Sequence, residues 1–271
     1  MGMSRFIAAA IQLCAGSDKV ANLDKAESFV AEAVRQAAQL VVLPEVFLSR
    51  GLRSEERTAA EPIPGPSTER LSALARGLKI HLVAGSILEQ GAGDKVFNTS
   101  LVFDARGELI ARYRKLHLFD VDIPGQVSIR ESDTRAPGDR VVTVSTALGV
   151  LGLSVCYDLR FPELYRQLTR AGAEIITVPS AFTFPTGAAH WEVLLRARAI
   201  ENQVYIIAPD QIGRSPSGVV DFGNSMIIDP WGKPLARAAD REMVIFAEID
   251  RDYQERVRRE LPCLTHIKLG N

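Results

Sequence analysis

The sequence predicts an α/β protein, a four-layer αββα sandwich of two similar half-units. Short apolar runs alternate with stretches of helical periodicity, the pattern of strands interleaved with helices. The second half of the chain repeats motifs of the first in the same order. Each half-unit, as a sheet with helices, has a second sheet face to bury, and the other half offers the nearest similar surface.

The strands are expected at Ile7–Leu13, Leu40–Leu43, Ile80–Ala84, Ser100–Phe103, Val150–Val155, Ile175–Val178, Tyr205–Ala208 and Met226–Ile228. Leu23, Ala26, Phe29, Val30, Ala33, Val34 and Ala37 recur at three- and four-residue spacing, which makes one apolar helix face. Leu71, Leu74, Ala75 and Leu78 repeat that pattern, with Ser67 as the expected N-cap. Trp191, Leu194, Leu195 and Ala199 form another such face. A further helix is expected to begin near Pro162, because proline suits the first helical turn.

The internal repeat rests on four matches. Ser100-Leu-Val-Phe-Asp-Ala-Arg-Gly107 aligns with Ser225-Met-Ile-Ile-Asp-Pro-Trp-Gly232, and continues to Ala111-Arg112 against Ala236-Arg237. His81-Leu-Val-Ala84 aligns with Tyr205-Ile-Ile-Ala208, and Leu43-Pro-Glu-Val-Phe47 with Val178-Pro-Ser-Ala-Phe182. Leu13-Cys14 aligns with Val155-Cys156, each at the end of an apolar run. Phe6–Cys14 is thereby the first strand of half one and not a leader, although Phe6–Ala15 has the look of a signal-peptide core. The halves differ at strand ends: Glu45 stands against Ser180, and Tyr157-Asp-Leu-Arg160 against Ala15-Gly-Ser-Asp18. One asymmetric site is expected there.

Composition sets the frame. The 271 residues are 46% hydrophobic and 24% charged, ordinary for a globular protein, and are read as one domain spanning 1–271. The net charge of -1 argues against a general nucleic-acid binder. No apolar run reaches the roughly 18 residues of a membrane span. Three cysteines, an odd and sparse set, fit a reducing compartment, and the protein is expected in the cytoplasm.

Three residues stand out for chemistry. Glu45 lies between an apolar strand and an apolar pair; burial there would suit it to general base work near neutrality. The plain alternative is a loop carboxylate with its head in water. Cys156 ends an apolar run before Tyr157-Asp-Leu-Arg-Phe-Pro-Glu163, a strand-to-turn position suited to a nucleophile, where a nearby cation or helix N-terminus would favour the thiolate. The alternative is a small buried hydrophobe, the reading adopted for Cys14 and Cys263. Lys115, with Leu116 and Leu118 beside it, is read with a partly buried stem, a fixed cation able to hold an oxyanion. Its alternative is one more surface base.

Glu131 and Asp133 fall in a long loop expected from Val121 to Asp139, and long ordered loops are often functional. On the helix of Ala189–Arg198, the polar Glu192, Arg196 and Arg198 are expected to be buried or interfacial. The four histidines form no close zinc-binding pair, so no metal is expected, and neither a phosphate loop nor a dinucleotide fingerprint appears.

Glu45, Lys115 and Cys156, in that order and in the contexts Leu43-Pro-Glu45, Tyr113-Arg-Lys-Leu-His117 and Val155-Cys-Tyr-Asp-Leu-Arg-Phe-Pro-Glu163, resemble the Glu-Lys-Cys triad of the nitrilase superfamily of carbon–nitrogen hydrolases. Ala189-His-Trp-Glu192 and Asp229-Pro-Trp-Gly232 add to the resemblance, which runs from about Phe6 to Leu264. The Cys-Tyr-Asp context looks like the amidase branches; true nitrilases usually show Cys-Trp-Glu. His117–Gly125 and Ser180–Gly187 are similar to two neighbouring groups, omega-amidases and deaminated glutathione amidases, and both stay open. The resemblance implies the αββα sandwich, dimers that extend it, and no metal or cofactor. It also implies a further glutamate near the nucleophile, which maps by its spacing after the lysine onto Glu131.

The expected activity is cysteine-dependent hydrolysis of a small carboxylate-bearing amide through a thioester. Glu45 serves as base, Lys115 and the backbone N–H of Tyr157 hold the oxyanion, and Phe119, Arg160 and Phe182 contact substrate. The competing readings are a Cys-His hydrolase or glutamine amidotransferase using His117 or His190, and a non-catalytic binding protein on the same fold.

Overall fold

The computed structural model describes residues 3–91 and 93–269. In chain order its strands are β1 (Arg5–Gln12), β2 (Ala38–Val42), β3 (His81–Val83), β4 (Ile87–Gln90), β5 (Val96–Phe103), β6 (Leu109–Arg114), β7 (Asp120–Ile123), β8 (Val127–Arg130) and β9 (Arg135–Ala136). The second half adds β10 (Thr143–Thr146), β11 (Gly149–Leu153), β12 (Ile175–Thr177), β13 (Tyr205–Ala208), β14 (Ile212–Arg214), β15 (Val220–Phe222), β16 (Met226–Ile228), β17 (Pro234–Arg237) and β18 (Met243–Asp250). The helices are α1 (Lys19–Arg35), α2 (Glu56–Ala59), α3 (Pro66–Leu78), α4 (Pro162–Arg170), α5 (Phe184–Asn202) and α6 (Arg251–Glu260).

The two main sheets share one topology. In the first, β18 pairs antiparallel with β1, β1 to β3 run parallel, and β5 and β6 follow antiparallel. In the second, β10 pairs antiparallel with β11, β11 to β13 run parallel, and β16 and β17 follow antiparallel. The internal repeat extends to register. Val102 faces Ala111 and Phe103 faces Leu109 across an irregularity, as Ile227 faces Ala236 and Ile228 faces Pro234. The Asp104 carboxylate accepts from the N–H groups of Arg106 and Glu108, and the Asp229 carboxylate accepts from those of Trp231 and Lys233. Each of these turns closes on a glycine in the left-handed region, Gly107 or Gly232, which explains the shared Asp-x-x-Gly.

Side-chain alternation produces the layers. From β1, Phe6, Ala8 and Ala10 point into the core shared with the second sheet, while Ala9 and Ile11 point into a separate core beneath α1 and α3. Strand β2 splits in the same way, with Leu40 and Val42 on one side and Val41 and Leu43 on the other. The shared core is joined by Leu151, Leu153, Ile175 and Ile207 of the second sheet and by Leu164, Leu168, Trp191 and Leu195 of α4 and α5. Helix, sheet, sheet, helix is therefore the layer order, as the half-repeat predicts.

Two local expectations change, and a third is met in part. Ser67 is not an N-cap: α3 begins at Pro66 after Gly65, and Thr68 Oγ1 accepts from the Gly65 N–H at 2.7 Å, so the cap moves with the proline. The segment expected as a long loop from Val121 to Asp139 is largely ordered pairing. Strands β7 and β8 form a hairpin, a 3₁₀ turn follows at Glu131–Asp133, and β9 joins β5. Of the polar residues on α5, Arg198 is buried as expected, donating from Nε to the Leu159 carbonyl at 3.0 Å and pairing with Glu201, and Glu192 and Arg196 are partly exposed and pair with each other, with Arg237 also on Glu192.

Candidate active site

The site lies where three strands of the sandwich end. Glu45 follows the carboxyl end of β2, Cys156 follows that of β11, and Lys115 is the first residue after β6. Ends of parallel strands leave the sheet together, and in open α/β sheets that is where ligand crevices form. The duplicated loops meet here: the Glu45 N–H donates to the Ser180 carbonyl at 3.3 Å, and the Cys156 N–H to the Pro179 carbonyl at 2.9 Å.

Two of the turns are backbone-strained. Val46 has φ 42° and Cys156 φ 49°, both in the left-handed region that L-residues avoid. Such conformations cost roughly 1–3 kcal/mol and persist where the surroundings fix them. Here the Ser86 Oγ accepts from the Val46 N–H at 3.0 Å. The Asp158 carboxylate does the same for the Cys156 turn, accepting from the Val155 N–H at 2.8 Å, and it also accepts from the Tyr113 hydroxyl at 2.6 Å and the His117 N–H at 3.1 Å.

Glu45 is buried. Its Oε1 accepts from Lys115 Nζ at 3.0 Å and from Asn98 Nδ2 at 2.7 Å, and its Oε2 accepts from the Ala181 N–H at 2.9 Å. Lys115, buried to its tip, donates also to Glu131 Oε2 at 2.9 Å. Glu131 in turn accepts from Arg135 Nη1 at 2.6 Å and from the Phe119 N–H at 2.8 Å. Arg135 completes the chain on Glu56. The stem of Lys115 is thus wholly and not partly buried, because two carboxylates compensate its charge.

This array fixes the ionisation of its members. Burial disfavours the Lys115 cation, but Glu131, Glu45 and Cys156 more than offset that, and its pKa rises above the ordinary lysine value. Burial likewise opposes the Glu131 carboxylate, but Lys115 and Arg135 outweigh it and hold its pKa well below the ordinary value. The Cys156 thiol moves the other way. Burial and the neighbouring Glu45 push its pKa far up, and Lys115 with the Ala181 N–H does not compensate. Lys115 favours the thiolate, as expected from sequence, but burial and Glu45 outweigh it and the balance lies with the thiol.

A cavity of about 250 Å³ opens onto the array. Cys156, Glu45, Lys115 and Glu131 all line it, as do Tyr157, Phe119 and Phe182. Arg160 is not among the lining residues: its guanidinium packs over the Phe182 and Tyr157 rings, with its carbon 5.2 and 5.8 Å from their centroids. The Tyr157 N–H lies in the first turn of the 3₁₀ helix Cys156–Arg160 and, among the described residues, has no backbone acceptor, so it is free to meet an oxyanion. Neither His117, which stacks on Phe161 and sits 2.7 Å from Asp158, nor His190, beside Arg160, lines the cavity.

Sequence reasoning missed Asn98, Arg135, Glu56, Arg50 and Arg53. The first is an interior residue of β5 that the fold brings to Glu45, and the others lie in segments with no hydrophobic period, so only the fold brings them to the cavity. The long loop around Glu131 was the one signal for Arg135. Among the described residues, no cluster of His, Cys, Asp or Glu is arranged to hold a metal ion, and no helix is long and apolar enough to cross a membrane.

Comparison with known proteins agrees with this geometry. The family model described as carbon-nitrogen hydrolase matches residues 7–259. The chain is 42% identical to mouse omega-amidase NIT2 over 97% of its own length and 95% of that protein. Among solved structures, the NitFhit protein of C. elegans superposes with a TM-score of 0.93 at 39% identity, covering 99% of this chain and 66% of that one. Saccharomyces cerevisiae Nit3, a member of branch 10 of the nitrilase superfamily, gives 0.87 at 37% identity, covering 96% of each chain. With the fold and these relatives in agreement, the chain belongs to the carbon–nitrogen hydrolase family of the nitrilase superfamily.

Proposed function

We propose that the protein hydrolyses a small carboxylate-bearing amide of the omega-amidase type, with Cys156 as nucleophile and Glu45 as base. The observation that carries this reading is the buried line Glu45–Lys115–Glu131, with all three facing the same cavity as Cys156. Glu45 takes the thiol proton as sulfur attacks the amide carbon. The oxyanion is held by Lys115 Nζ and the Tyr157 N–H, groups already in place before charge develops. Glu45 then gives the proton to the leaving nitrogen, and ammonia departs. A water that loses its proton to Glu45 opens the thioester, releasing the acid and restoring the thiol. Glu131 holds Lys115 in line, and Phe119 and Phe182 form the wall, with Arg160 behind the latter.

The whole chain 1–271 is read as one such domain. Its free cysteines at 14, 156 and 263 fit a reducing compartment such as the cytoplasm. The exposed apolar side chains of Val193, Ile200 and Trp231, on α5 and the turn after β16, support a homodimer through that face.

The test is intact-mass measurement of acid-quenched enzyme during turnover of alpha-ketoglutaramate and of deaminated glutathione. The expected result is an acyl adduct on the wild type, absent in Cys156→Ala, together with ammonia release. Full activity in Cys156→Ala would remove the mechanism. A Cys-His mechanism would instead require His117→Ala or His190→Ala to abolish turnover while Glu45→Gln retained it.

A further inference from the structure

The catalytic cavity carries more arginine than its own carboxylates use. Three arginines line it: Arg50, Arg53 and Arg135. Arg135 is fully engaged, with Glu131 on one side and Glu56 on the other. Arg50 donates from Nη2 to both oxygens of Asp221, at 2.7 and 2.6 Å. Arg53 has no ion pair among the described residues.

The nearest acids in sequence are committed elsewhere. Glu56 accepts from Arg135 Nη2 at 2.6 Å, from Arg135 Nε at 3.1 Å and from Thr134 Oγ1 at 2.7 Å. Glu55 turns back to accept from the Leu52 N–H at 3.0 Å. Two guanidinium nitrogens nevertheless stand buried without an acceptor, Arg53 Nη1 and Arg50 Nε. A buried charged donor left unpaired is costly, and one that lies on a cavity-lining residue invites an anionic partner from the cavity. Burial and the adjacent Arg135 also pull the Arg53 pKa below the usual arginine value, so an anion arriving there relieves repulsion as well as filling an empty bond.

We infer that Arg53, seconded by Arg50, is the specificity-determining anion receptor of this cavity, and that it takes the distal carboxylate of a short dicarboxylic acid monoamide. The assignment rests on the amidase reading above for the reacting end of the substrate. The cavity, at about 250 Å³, lies below the roughly 300–1,000 Å³ of pockets that hold drug-sized ligands, which favours a short acyl chain. Both arginines lie between Glu45 and α2, so the segment that follows the general base also reads the far end of the substrate.

The experiment compares succinamate with butyramide, amides of similar length with and without the carboxylate, in the wild type, Arg53→Gln and Arg53→Lys. In Arg53→Gln the KM for succinamate should rise roughly tenfold or more, the scale of one charge-assisted hydrogen bond, with kcat within about twofold. Butyramide kinetics should not change, and Arg53→Lys should recover part of the loss. Calorimetry of succinate binding to Cys156→Ala, with and without Arg53→Gln, reads the same receptor without turnover. Hydrolysis of both amides by the wild type with no selective effect of Arg53→Gln would overturn the receptor and leave the amidase intact. Arg53-dependent succinate binding in a wild type that hydrolyses neither amide would overturn the amidase reading and leave the receptor.

Discussion

Asp158 accepts the Tyr113 hydroxyl at 2.6 Å, and through that bond the turn that carries Cys156 is tied to the strand that leads into Lys115. The carboxylate is fully buried and also receives the Val155 and His117 N–H groups. It lies two residues after Cys156, and Tyr113 lies two before Lys115. Cys156 and Lys115 thus keep their spacing through a shared anchor and not through the sheet alone.

Asp158→Asn keeps the shape but turns an amide N–H₂ toward donors. Thermal unfolding should show a loss of about 1–3 kcal/mol, the cost of a buried donor left unmatched. Turnover should suffer in kcat more than in KM, since the reacting groups shift while the far wall stays. An Asn variant with wild-type kcat and midpoint would show that the anchor does not set the geometry.

Lys115→Met leaves Glu45 and Glu131 facing one another with no cation between them. Removing one partner of a buried ion pair costs about 3–5 kcal/mol. Adding Glu131→Gln should recover part of that stability without recovering activity, a non-additivity that denaturant titration of both variants reads directly. Simple additivity would mean that the glutamates are solvated.

The Cys156 thiol should stay protonated through neutral pH. In a protein with Cys14→Ser and Cys263→Ser, thiolate absorbance should rise only in the alkaline range, above the ordinary cysteine value of about 8.5. Burial and Glu45 are the causes, so Glu45→Gln should move the titration downward while abolishing catalysis. A thiolate signal below pH 7 in the wild type would require a pre-ionised nucleophile.

Asp210 carries a pH dependence of stability. Burial pushes its pKa well above the usual carboxylate value, reinforced by Asp221 and Glu45; the Phe182 N–H and Arg50 oppose the shift. The folded protein then holds a proton that the unfolded chain has released. Stability therefore falls as pH rises from about 4 toward the folded value, by up to about 1.4 kcal/mol per unit. Asp210→Asn should remove that slope, so its midpoint should gain on the wild type between pH 4 and 7. Parallel curves for the two proteins would show that Asp210 is ionised in the fold.

The sequence by itself determined the α/β architecture and singled out Glu45, Lys115 and Cys156 as the candidates for chemistry. Apolar runs of strand length and helical faces between them specify α/β, and the match of Ser100–Gly107 with Ser225–Gly232 is a register made visible, since the same pairing and the same aspartate turn recur in both sheets. Glu45 and Cys156 were legible because each is a polar residue just past an apolar run, whereas Lys115, which follows the mixed strand Leu109–Arg114, was legible through the motif Tyr113-Arg-Lys-Leu-His117. Tertiary structure decided the rest. Asn98 looks like any strand residue until β5 brings it to Glu45 in the loop after β2, and Arg135 looks like a loop base until the fold sets it between Glu131, after the β7–β8 hairpin, and Glu56 of α2. The ionisation of Cys156 was also decided there: whether a nearby lysine makes a thiolate depends on the balance of burial, Glu45 and Lys115 at one point in space, and residue order carries no information about that balance.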